Sequence, residues 1–196
     1  MERPDRDSVY AVCLAFIAAA AFSGGVLGEV IESRNVSVIQ GDNALVVRAD
    51  FELELTRRLE EALDHGVALY FVVEFELVRP RWYWFDEKAA AEKLTLRLVY
   101  HSLSRQYRVS RGALYQNFAT LAEALRTIGT VRDWAVVERE RLKPEEAYVA
   151  SLRMRLDTAQ LPKPLQVSAF GSREWTLVSD WTRVAFTASH AEGAAR

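Results

Sequence analysis

Apolar and polar residues alternate along most of this chain. In ALVVRADFELEL the apolar positions are Leu45, Val47, Ala49, Phe51, Leu53 and Leu55, with Arg48, Asp50, Glu52 and Glu54 between them. A period of two over this length predicts a half-buried strand. GDN just before it is a turn signal, so VSVIQ (36–40) and this strand form a hairpin. TRRLEEALDHG changes period. Thr56 caps, Leu59, Ala62 and Leu63 share a helical face, His65 suits the last turn, and Gly66 closes a short helix. VALYFVVEFELV returns to alternation, apolar on both faces at its start and charged on one face at Glu74 and Glu76.

The same alternation predicts strands in KLTLRLVYHSL, RQYRVS, DWAVVE and YVASLRMRLD. NFATLAEALRTIG predicts a helix. Phe118, Leu121, Ala122, Leu125 and Ile128 recur at three and four, Asn117 caps and Gly129 ends it. LPKPLQV is expected to be extended or irregular, because proline denies helix to the residue before it. EWTLVSDWTRVAF is read as a last long strand with a bulge near Asp180. About eight strands and two short helices follow, a β-rich α+β fold. It is either an antiparallel β-sandwich or a curved sheet packed on the Phe118 helix. Residues 35–187 form one domain, without repeat or low-complexity linker, and 188–196 a flexible tail.

The front of the chain breaks the pattern. MERPDRDS is charged, VYAVCLAFIAAAAF (9–22) is apolar, and small residues follow in SGGVLG. This is the layout of an export signal, with cuts expected after Ser23 or after Gly28. Stretched to Leu27, the run is just long enough to cross a membrane, so residues 1–28 are a signal peptide or an inner-membrane anchor. Either way the domain is placed in the periplasm. The single cysteine, Cys13, lies near the front of the run, not at its end where a lipidated cysteine would be. A mature domain without cysteine has no disulfide, thiolate nucleophile or Cys-ligated metal. A net charge of −2 over 196 residues gives no general attraction to nucleic acid.

Candidate chemistry is thin. There is no Gly-x-Ser-x-Gly turn and no His-Glu-x-x-His, and the glycines form no phosphate cradle. His65 and His101 are the only domain histidines that a hydrolytic site would draw on. Glu74 and Glu76 share a strand face as glycosidase carboxylates do, but outward charges on an amphipathic strand explain them. No cofactor, metal or catalytic residue is expected. Arg79, Arg81, Arg105, Arg108 and Arg111 gather at the end of one inferred hairpin and just beyond the other. They form either a site for an anionic partner or a solvated rim paired with Asp86 and Glu87. Between them runs RPRWYWFDEK. In an extended segment Trp82 and Trp84 point one way and Tyr83 and Phe85 the other, as core closure or as a contact surface.

HGVALYFVVEFELVRPRWYWFDEK, LVYHSLSRQYRVS, LPKPLQVSAF and WTLVSDW, in this order, resemble the bacterial family catalogued as domain of unknown function 4390, over roughly 36–186. The resemblance implies an exported protein with no assigned reaction. It also implies a gene often beside that of a membrane sensor histidine kinase of a nitrogen-responsive two-component system. It carries over no functional residues. The expectation is a non-catalytic envelope adaptor that binds such a kinase or another envelope protein, with Arg79, Arg81, Trp82, Trp84 and Arg105 at the interface. The alternative is a periplasmic carrier or sensor of a lipid or other small apolar ligand, motivated by the two-sided apolar strand Val67 to Val73.

Overall fold

A computed structural model describes residues 31–81, 83 and 86–189. Residues 1–30, with the expected signal or anchor, Trp82, Trp84, Phe85 and the tail beyond Ser189 lie outside the described residues. Among the described residues nine strands form two antiparallel sheets. The smaller has the order β1 (Glu32–Gln40), β2 (Ala44–Glu52), β7 (Thr130–Glu138). The larger runs β6 (Leu114–Phe118), β5 (Gln106–Arg111), β4 (Glu87–His101), β3 (Leu69–Arg79), β8 (Ala147–Leu156), β9 (Thr182–Thr187). The sheets share one core, which decides for the sandwich. Leu69, Phe71, Val73, Phe75 and Leu77 of β3 belong to the same buried cluster as Leu45, Val47 and Ala49 of β2, and Phe75 meets Trp134 of β7 edge to face at 6.3 Å. The other face of β3 is explained locally. Val72, in register with Thr95 and Arg155, is buried, and Glu74 joins it.

Helix α1 (Arg57–Asp64) follows β2, capped by the Thr56 hydroxyl, which accepts from the Leu59 amide and donates to the Glu174 carbonyl. Helix α2 (Leu121–Gly129) starts later than the pattern suggests. Thr120, not Asn117, caps it, because Thr120 and Glu123 form a reciprocal capping box. Asn117 and Phe118 instead close the unanticipated strand β6, joined to β5 by a two-residue turn in which Gly112 takes φ +57. Helix α3 (Lys163–Ala169) corrects the expectation for LPKPLQV. Pro162 is its N-cap and Pro164 lies in its first turn, where a missing N–H leaves no intrahelical bond unmade.

The last strand is shorter than expected. A 3-10 turn at Arg173–Trp175 and a single bridge between Val178 and Arg155 precede β9. Beyond β9 the chain is held for two residues. Ala188 is buried, and the Ser189 amide and hydroxyl donate to the Gln40 side chain.

The strand pairings define two ends of the sandwich. One end holds Ile31, where the described chain begins, and the β2–α1 connection. It also holds the β4–β5 turn and the segment from Leu156 through α3 to Trp175. The other end holds the β3–β4 hairpin tip, tied to Glu146 by Arg79.

Candidate functional site

The hairpin tip is a closed charge network. Arg79, its side chain only 12 % exposed, donates to Glu87 and, at 3.4 Å, to Glu146. Arg81 donates to the same Glu87 carboxylate, and its backbone amide reaches Asp86 at 3.4 Å. The hydrogen bonds from Arg79 and then Arg81 hold the Glu87 carboxyl below its ordinary value. The paired rim, not an open anion site, is thus the arrangement found. Tyr83 is exposed between Trp82 and Trp84, which lie outside the described residues.

Arg105 is not part of this cluster. It occupies the β4–β5 turn at φ +51, and the fifteen residues of β4 separate it from the tip by about 50 Å at strand rise. Arg108 turns to β6, donating to Asn117 at 3.0 Å and lying over the Tyr115 ring. Of the residues singled out in the sequence, Arg79 and Arg81 therefore share the hairpin tip and Arg105 does not join them. The length of β4, not readable from local alternation, parts them.

The outer face of the larger sheet is basic around one buried carboxylate. Glu74 accepts from Arg153 at 2.7 Å and Arg155 at 3.2 Å, and Lys93 lies 3.2 Å away. Burial pushes the Glu74 carboxyl up, but the bonds from Arg153 and Lys93 and the charge of Arg155 outweigh it and hold it at about 2. Glu76, next on that face, pairs with Lys88 at 2.8 Å. Both glutamates are sheet-stabilising ion pairs, as the amphipathic-strand reading expects. The same face carries Arg153 over Trp181.

A different feature has the form of a binding site. A groove of about 940 Å³ runs between the end of β2, α1 and α2. Its floor is apolar, from Phe51, Leu53, Leu55, Leu121 and Leu125. Its rim is acidic. Asp50 is committed to Arg132 at 2.5 Å and Glu52 to Arg34 at 2.7 Å. The Arg132 hydrogen bond holds the Asp50 carboxyl below its ordinary range. Glu54 and Glu60 are exposed and have no ion-pair partner among the described residues, and Arg126 is the one cation of the lining. Alternation that runs from the end of β2 into the connection after it gives the floor its leucines and the rim its glutamates from one stretch, FELEL. The opposing wall comes from α2, whose 3.6-residue period turns Leu121 and Leu125 inward and leaves Ala122 exposed at the lip.

His65 caps α1 with Nδ1 2.6 Å from the Glu61 carbonyl, and His101 pairs with Gln106 at the end of β4. Among the described residues no group of three or more His, Cys, Asp or Glu could hold a metal ion. No helix among them is long and apolar enough to cross a membrane.

A family model described as Domain of unknown function (DUF4390) matches residues 29–185. No curated protein and no solved structure matches the chain.

Proposed function

From the premise that the chain belongs to the DUF4390 family, we propose that it is a non-catalytic binding module, exported to the bacterial envelope, that docks a partner protein. The groove between β2 and α2 carries this reading. It is large enough for a row of side chains, its floor is apolar, and Glu54 and Glu60 stand unpaired on its rim. Charge complementarity defines the occupant as a basic amphipathic segment of the partner, leucine-like side chains down and lysine or arginine toward the glutamates. The extracytoplasmic part of a membrane sensor histidine kinase is the candidate partner, on the gene neighbourhood that the family resemblance implies. Arg79 and Arg81 are spent on Glu87, which moves the proposed interface from the hairpin tip to the groove. A carrier of a lipid or other small apolar ligand is the second reading, and this groove is where such a ligand would lie.

The test is charge reversal. Glu54→Lys with Glu60→Lys should lower affinity for the kinase's extracytoplasmic part by about a hundredfold, since each of the two rim charges contributes roughly 0.7 kcal/mol and reversal doubles the effect. Both side chains are exposed, so the fold should persist. Equal affinity in the folded variant removes the groove as the docking site. No binding by the parent chain removes the candidate partner.

A further inference from the structure

Leu103, Phe170 and Val167 are the three most exposed large apolar side chains among the described residues, at 103, 93 and 79 %. They come from two separate connections. Leu103 tips the β4–β5 turn, and Val167 and Phe170 stand at the end of α3. Topology brings both to one end of the sandwich. β4 reaches that end because Leu98 pairs with the first residue of β3, and β8 reaches it because Leu156 pairs with Phe71. Ile31 lies at the same end, since Glu32 pairs with Glu52 and Thr56 bonds to Glu174. The apolar run Val9 to Leu27 therefore joins the domain at the end where these side chains protrude. The hairpin tip with Tyr83 is at the opposite end, about 50 Å from the β4–β5 turn along the fifteen residues of β4.

We infer that this end rests on a lipid bilayer, with Leu103, Val167 and Phe170 inserted at the boundary of headgroups and acyl chains. Single protruding side chains on two turns offer little surface for packing against a rigid partner, whereas a fluid apolar medium accommodates each of them. Arg105, Lys163 and Arg173 are exposed on the same connections, without an ion-pair partner among the described residues, and would meet lipid phosphates once the apolar side chains insert. Helix α1 places Glu60, Glu61 and Asp64 at the same end, so apolar insertion rather than net charge provides the attraction. The inference does not depend on the groove or on the identity of the partner protein.

The experiment uses the full chain in vesicles of phosphatidylcholine with phosphatidylglycerol as the minority lipid. Benzoylphenylalanine is placed singly at Leu103, Phe170 or Tyr83, and adducts are identified by mass spectrometry after irradiation. Lipid adducts are expected at Leu103 and Phe170 and not at Tyr83. Val167→Asp with Phe170→Asp should then lower adduct yield at Leu103 by about tenfold, because the apolar area lost from the bilayer is that of two large side chains. Adducts at Tyr83 to the same extent, or none at Leu103 and Phe170, would overturn the inference. So would an unchanged yield at Leu103 in the folded double variant. Protein adducts at Phe170 in intact cells would assign this end to a partner instead.

Discussion

Gly129→Ala is expected to destabilise the domain by about 3 kcal/mol, lowering the melting temperature by roughly 10 °C for a domain of this size. The cause is space. A Cβ at Gly129 would lie 2.1 Å from the Phe51 carbonyl oxygen and 3.1 Å from Leu53 Cδ1. The carbonyl belongs to β2, which is paired on one side with β1 and on the other with β7, so it cannot retreat. The helix must move instead. Gly129 is the last residue of α2, and displacing it shifts Leu125 and Leu121 away from Leu53 and widens the groove. Partner affinity should therefore fall together with stability. Urea unfolding reads the first effect. A loss under about 1 kcal/mol would mean that α2 does not lie against the β2 backbone.

Glu74→Gln is expected to cost about 2 kcal/mol at neutral pH. Glutamine keeps the shape but leaves Lys93 and Arg153 without a counter-charge and Arg155 with Asp157 alone. The carboxyl is held at about 2 against an ordinary 4.5. That shift corresponds to roughly 3 kcal/mol, which solvent around the partly exposed arginines reduces. The sign follows from the direction. A carboxyl with a depressed folded-state value contributes in full above pH 4.5 and loses its contribution as pH falls toward 2. The stability difference between the parent and the variant should be flat above pH 4.5 and close to zero near pH 2. Denaturant midpoints measured across this range test it. A difference that persists undiminished at pH 2 would show that Glu74 acts through packing and not through its charge.

Alternation made the central strands legible. In β2, β3 and β8 every second side chain is in the core, because a sheet with one dry face imposes that period on its sequence. β6 left no such trace. Most of its residues are exposed on both faces at the sheet edge, so no period is imposed, and its hairpin uses Arg-Gly-Ala-Leu rather than a strong turn pair. α3 was hidden by a proline rule that applies within helices but not at their first turn. The pairing of Arg79 and Arg81 with Glu87 was readable as a charged rim, whereas the distance to Arg105 depended on the full length of β4. The groove was not legible at all. FELEL and LAEAL each read as an ordinary amphipathic element, and only the tertiary approach of α2 to β2, allowed by the missing side chain of Gly129, puts their leucines across from each other.

The most direct measurement of the binding role places a photo-crosslinker at Ala122, on the lip of the groove, in living cells, with a second at Tyr83 on the opposite end as reference. A crosslinker at Ala122 should capture one envelope protein through a lysine- or arginine-rich segment, and Glu54→Lys with Glu60→Lys should abolish the capture. Adducts at Ala122 only within the chain itself, or a specific protein captured at Tyr83 and not at Ala122, would contradict this expectation and return the interface to the aromatic hairpin tip.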